Sequence, residues 1–297
     1  MQSRTVRSTT VRGSAGVDLR VLRWEGRPPG FVLVHGLASN ALLWQGVSER
    51  LSDEGAGHAV TAIDLRGHGK SEAPESGYDT STAAADVAAV IASRGLERPV
   101  VAGQSWGGNV VVELAASHRV RLAAIALVDG GWIRLGGFAS WEEVLQRLTP
   151  PDMSGLSWSE IFALIRTAHP DWADWAVEAT LANLRELPDG TVRARLARDH
   201  HLSILQSMWD HPITDLYGAV TVPSLLVAAG ARGGPKLRAV EWAAGALPGS
   251  EVRWYEDADH DLHAQHPSAL AADLLTLADR AGLPVSGTGS DPDPGGM

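Results

Sequence analysis

Gly103-Gln104-Ser105-Trp106-Gly107 has the pattern G-x-S-x-G and falls where an apolar run gives way to an amphipathic one. A serine on a sharp strand-to-helix turn projects its hydroxyl beyond the sheet edge, and the flanking glycines keep side chains out of neighbouring strands. A hydroxyl is a weak nucleophile until a base takes its proton, so a histidine must reach the same edge. Of 11 histidines, His260 is the best placed, in Glu256-Asp-Ala-Asp-His260 directly after the last expected strand. His263 and His266 follow at helical spacing beside Pro267 and fit a solvated helix start. Together with Asp257, Asp259 and Asp261 they also show spacings used by metal sites, a reading ranked second.

Two glycine patterns fail as nucleotide sites. Gly-His-Gly-Lys-Ser71 ends like a phosphate loop, but Asp64 stands where the first glycine of that loop is required. Gly67-His-Gly69 continues to Glu72 in place of the third glycine of a dinucleotide fingerprint. Neither a nucleotide cofactor nor a metal is expected.

The positioning elements are legible as alternating apolar and amphipathic runs. Strands are expected at Phe31–His35, Ala59–Asp64, Pro99–Gly103 and Leu122–Asp129, with helices at Asn40–Asp53, Thr80–Arg94 and Trp106–His118. Each strand followed by a crossover helix makes the sheet parallel, with ligands at its carboxyl edge. From Trp132 to about Val220 the pattern turns helical, is broken by prolines and offers no convincing strand, as in an inserted cap. The sheet pattern resumes at Ser224–Ala229 and Glu251–Tyr255, with helices at about Lys236–Leu247 and Pro267–Ala281. The expected division is residues 1–132 and 221–283 as two parts of one core, 133–220 as a helical cap, and 284–297 as a disordered Gly/Pro/Asp/Ser-rich tail. The cap carries Trp141, Trp158, Trp172, Trp175 and Trp209, with Trp132 at its entrance. Tryptophans in short helices usually anchor a small core, and some can also line a pocket over the sheet.

The 297 residues are enough for one domain with a lid. With 25 Lys+Arg against 35 Asp+Glu the net charge is −10, which repels phosphate backbones and anionic lipid surfaces. Neither nucleic acid nor a membrane is an expected partner. The absence of cysteine removes disulfides, thiolate nucleophiles and Cys-bound zinc. The N-terminal stretch has basic residues but no apolar run after them, so a cytoplasmic location is expected.

Val34-His-Gly-Leu37, Asp64-Leu-Arg-Gly-His-Gly-Lys-Ser71, Gly-Gln-Ser-Trp-Gly107 and Asp259-His-Asp261 together resemble the α/β-hydrolase superfamily, over about residues 17 to 281. The resemblance implies a mostly parallel central sheet flanked by helices, and a Ser, acid, His order along the chain. Many members carry the acid after the strand that follows the cap, but Ala229-Gly-Ala-Arg-Gly-Gly-Pro235 contains no carboxylate. A minority place it at the end of the strand before the cap, where this sequence has Asp129. The resemblance therefore assigns Asp129, with Asp257 or Asp259 as fallback. It also implies that the Leu37 and Trp106 amides form the oxyanion hole. His35 and Gly36 shape that loop, and with Trp132 they are expected beside the substrate; His35 is structural rather than a base.

These residues predict a serine hydrolase without a cofactor, cleaving a carboxylic ester or lactone of a hydrophobic small molecule through Ser105, His260 and Asp129. Ser105 counts against dehalogenase and epoxide hydrolase chemistry, which in this fold needs a carboxylate nucleophile. Thioester, amide and carbon–carbon bond hydrolysis use the same groups and stay open, as do cofactor-free lyase chemistry and a binding protein with slow turnover.

Overall fold

The computed structural model of the chain describes residues 6–53, 57–137 and 140–283. In chain order the strands are β1 (Arg7–Arg12), β2 (Asp18–Trp24), β3 (Arg27–Val34), β4 (His58–Ile63), β5 (Val100–Gln104), β6 (Ala124–Val128), β7 (Leu184–Glu186), β8 (Val192–Ala194), β9 (Ser224–Ala229) and β10 (Glu251–Tyr255). The α-helices are α1 (Gln45–Ser52), α2 (Thr80–Ser93), α3 (Trp106–Ser117), α4 (Trp141–Leu148), α5 (Trp158–Ala168), α6 (Asp174–Leu181), α7 (Arg198–Asp210), α8 (Gly234–Ala246), α9 (Leu262–Gln265) and α10 (Pro267–Arg280).

Eight strands make one sheet in the order β1-β2-β4-β3-β5-β6-β9-β10. It is parallel from β4 to β10, whereas β2 runs antiparallel to both β1 and β4. The apolar runs that mark the central strands are continuous because both faces are covered. Alternate residues divide between two cores, as the two-residue period of a strand requires. Val32, Val34, Ile125 and Leu127 pack with α2 and α3, while Phe31, Leu33, Ala124 and Ala126 pack with α1 and α10. Among the described residues no helix is long and apolar enough to cross a membrane.

One expectation needs correction, and one pair of strands has no counterpart among the expected elements. The N-terminal stretch forms β1 and β2, whose register runs from Arg7 opposite Arg23 to Arg12 opposite Asp18. Its arginines and threonines hide the strand because β1 lies at the sheet edge, where one side stays wet. The segment expected to be free of strands contains the antiparallel hairpin β7/β8, turned at Pro188-Asp-Gly190 with Gly190 at φ +81°. A Pro-Asp-Gly turn is a local signal with a mechanism, and it marks a reversal even between strands three residues long. The expected tail, 284–297, lies outside the described residues.

The tryptophans of residues 133–220 mainly hold that layer together and to the core. Trp141 meets Trp209 edge-on at 5.7 Å, and Trp172 stacks on His169 at 3.9 Å. A Cβ on Gly46 would meet the Trp175 ring at 2.7 Å, so α1 and α6 approach closely there.

Candidate active site

Four loops at the carboxyl ends of parallel strands converge. Ser105 occupies the turn between β5 and α3 at φ 53°, ψ −122°, a conformation costly for a residue with a Cβ and sustained only by its surroundings. Those surroundings are backbone packed without side chains between. A Cβ on Gly103 would strike the Gly107 carbonyl, and one on Gly130 would strike the Ser105 backbone. A Cβ on Gly36 would come within 2.9 Å of the Ser105 Cβ, so the loop after β3 lies directly against the serine.

Asp129 follows β6 at φ 44° and is 5% exposed. Its Oδ2 is 2.7 Å from His260 Nδ1, and its Oδ1 accepts from the Ala229 amide at 3.1 Å. Burial works against the charge, but hydrogen bonds from His260 and Lys236 outweigh it and hold the Asp129 carboxyl below its ordinary range. The imidazole responds in the opposite sense. Burial lowers its proton affinity, yet the hydrogen bond and charge of Asp129 prevail, and the His260 pKa lies above the usual histidine value.

Sequence reading missed two partners. Lys236, at the start of α8, puts Nζ 2.7 Å from Asp129 Oδ1 and donates to the Ala229 carbonyl at 2.5 Å. No spacing signals it, since it meets Asp129 only through the folded sheet edge. Gln104 donates from Nε2 to the His260 carbonyl at 3.0 Å, tying the histidine loop to the serine turn. It stands immediately before Ser105, the one hint that the sequence carries.

The loop Val34-His-Gly-Leu37 is braced by two buried histidines. Leu65 N donates to His35 Nε2 at 3.0 Å, which fixes the proton on Nδ1 for a 2.7 Å bond to the Gly36 carbonyl. Ala38 N donates to His68 Nε2 at 3.2 Å, and His68 Nδ1 bonds the Arg66 carbonyl at 2.9 Å. The His68 ring also stacks on Trp106 at 5.8 Å. Desolvation lowers the pKa of His35 to about 4 and that of His68 to about 3. Both hold the loop as neutral rings.

The metal reading of Asp257 to His266 does not assemble. Among the described residues no three His, Cys, Asp or Glu side chains are grouped to hold an ion. Asp259 Oδ2 instead receives His169 Nδ1 at 3.1 Å and Trp172 Nε1 at 3.2 Å, a tie to residues 133–220. His263 is not at a solvated helix start: it is fully buried, 4.6 Å from the Trp44 ring, and desolvation lowers its pKa to about 3. Trp132 is buried in the core layer of α2 and α3.

These depressed histidines predict acid lability. His35, His68 and His263 stay neutral in the folded chain to about pH 4 or 3. Unfolded, each charges near pH 6.5, so the unfolded state binds more protons in that window and stability falls as pH drops through it. The slope approaches about 1.4 kcal/mol per pH unit for each ring. Urea melts at pH 7.5 and 5 should differ by several kcal/mol, and equal stability at both would refute the account.

The family model for the alpha/beta hydrolase fold matches residues 29–267. Epoxide hydrolase A of Mycobacterium tuberculosis is 38% identical over 118 residues, covering 38% of this chain and 36% of that protein. N-formylmaleamate deformylase of Pseudomonas putida is 34% identical over 117 residues, 38% of this chain and 42% of its own. The chain thus matches about a third of the length of such curated relatives. Among solved structures, E-2-(acetamidomethylene)succinate hydrolase superposes with a TM-score of 0.77 at 22% identity, covering 93% of this chain and all of its own. Sequence match and sheet topology agree, and the chain belongs to the alpha/beta hydrolase fold family.

Proposed function

We propose that the protein is a serine hydrolase cleaving a carboxylic ester or lactone of a largely apolar small molecule through an acyl-enzyme. The observation that carries this reading is the 2.7 Å bond between Asp129 and His260, made at the strand ends where Ser105 sits on its strained turn. Asp129 fixes the His260 tautomer with the proton on Nδ1, leaving Nε2 to accept the Ser105 proton. Ser105 Oγ attacks the carbonyl carbon, and the Leu37 and Trp106 amides receive the oxyanion. His260 returns the proton to the departing oxygen, then activates the water that releases the acid.

The relatives include an epoxide hydrolase and a deformylase. Ser105 in place of a carboxylate argues against the former chemistry. Covalent labelling by a fluorophosphonate, followed by a panel of esters, lactones and thioesters, tests the reading. Labelling should be stoichiometric and map to Ser105, and an unlabelled protein that turns over none of the panel would refute it.

The raised His260 pKa gives a pH signature. Protonated His260 cannot take the Ser105 proton, so kcat/KM should rise through a midpoint above about 6.5. Lys236 opposes that elevation by its positive charge. Lys236→Met should therefore move the acid limb to higher pH. A downward shift, or none, would exclude Lys236 as a residue that positions and tunes the pair.

A further inference from the structure

A cavity of about 430 Å³ opens between residues 149–201 and the loops after β3 and β4. Its core side includes Ala38 and His68. Ala38 directly follows Leu37, and the His68 ring that holds Ala38 N stacks on the Trp106 indole, so the cavity adjoins the loop that carries one proposed oxyanion amide. The opposite side is different in character. Arg193, Arg195 and Arg198 all line it, against the single carboxylate of Asp152. Among the described residues none of the three guanidinium groups is within ion-pair distance of a carboxylate.

In a chain of net charge −10, acidic partners for arginine are plentiful. Three arginines around a single cavity, with Asp152 the one lining carboxylate and only Arg198 acting on it, leave a local excess of positive charge. Arg195 is fixed in place, its Nε donating to the Ala182 carbonyl at 3.0 Å. Two further lining residues, Ser39 and Thr149, have buried hydroxyls with no hydrogen-bond partner among the described residues. An unmet buried polar group is costly, and an oxygen-rich ligand relieves it. The apolar remainder, including Met153, Leu184 and Leu196, suits a hydrocarbon segment.

We infer that this cavity binds the distal end of the substrate and that this end carries an oxyanion, most simply a carboxylate. The inference rests on the serine hydrolase reading and narrows its substrate class to an amphipathic ester: scissile carbonyl at Ser105, apolar segment between the layers, anion among the arginines. Arginine suits this task because its planar fork pairs with two carboxylate oxygens at once.

Two p-nitrophenyl esters of matched chain length test it, a neutral pentanoate and a glutarate monoester ending in carboxylate. The carboxylate ester should have the higher kcat/KM, and salt at about 0.5 M should erode the preference. In Arg193→Gln and in Arg198→Gln the ratio of the two kcat/KM values should fall about tenfold, the loss of one charge-assisted hydrogen bond. An analogous ester ending in phosphonate separates carboxylate from phosphate-like recognition. Glutarate titrated calorimetrically into Ser105→Ala protein gives a readout that needs no turnover, and its binding should weaken when Arg193 or Arg198 is also replaced. Hydrolysis of both esters with equal kcat/KM, and no glutarate binding, would overturn the inference while leaving the hydrolase intact. Arginine-dependent glutarate binding by a protein that fluorophosphonate does not label and that turns over neither these esters nor the wider panel would uphold the cavity and overturn the hydrolase.

Discussion

Ser105→Ala should lower kcat toward a carboxylic ester by about 10⁴–10⁶, with no compensating change in KM. The serine supplies the only bond that the acyl-enzyme needs, and the groups that remain cannot replace it. Folding should survive, since the backbone at this turn is held by contacts of Gly36, Gly103 and Gly130 that alanine leaves untouched. Only a hydroxyl is lost, so thermal unfolding should stay close to that of the unsubstituted protein. His260→Ala should fall comparably. Steady-state assays on purified protein, paired with circular dichroism, measure both effects. Turnover of Ser105→Ala within about tenfold of the unsubstituted protein would exclude the serine mechanism, because removing a true nucleophile costs orders of magnitude more.

Asp129→Asn should lower the rate by about 10²–10⁴ while preserving the fold. The substitution is nearly isosteric, and an amide oxygen at the Oδ1 position still accepts from Ala229 N. At the Oδ2 position, however, an amide nitrogen then faces His260 Nδ1, which the carboxylate contacts at 2.7 Å. Donor facing donor drives the imidazole to the other tautomer, with its proton on Nε2 where Ser105 needs an acceptor. The electrostatic support for the imidazolium is lost with it. Asp257→Asn and Asp259→Asn should each cost much less, since Asp259 is occupied by His169 and Trp172. Near-normal turnover in Asp129→Asn, or a larger loss in either neighbour, would move the acid elsewhere.

Much of the chemistry was legible because it is written locally. The turn at Ser105 needs glycine on either side, because a Cβ at Gly103 or Gly107 would strike neighbouring backbone, and the serine sits between them in fixed succession. The buried parallel strands announce themselves as apolar runs for the same reason: a strand covered on both faces has no polar side to show. Strands β9 and β10 fall on the expected residues, Ser224–Ala229 and Glu251–Tyr255. The lack of a carboxylate between Ala229 and Pro235 is equally plain in the sequence, but only the family resemblance makes it point to Asp129.

What escaped the sequence depends on neighbours distant in the chain. Strand β1 looks polar because only one of its sides is buried, and nothing within it tells that β2 lies alongside. His263 has the spacing of a surface residue, but α9 packs it against Trp44, more than two hundred positions earlier. Lys236 gives no sign of its partner, and Arg193, Arg195 and Arg198 look like ordinary surface charge until the fold sets them around one cavity. The sequence by itself determined the class of fold and the serine turn, since each is fixed by hydrophobic period or by local backbone geometry, while the order of the proposed triad came from the family resemblance. Only the tertiary structure decided which charges meet, because ion pairs, burial and cavities arise from through-space distances that linear spacing does not encode.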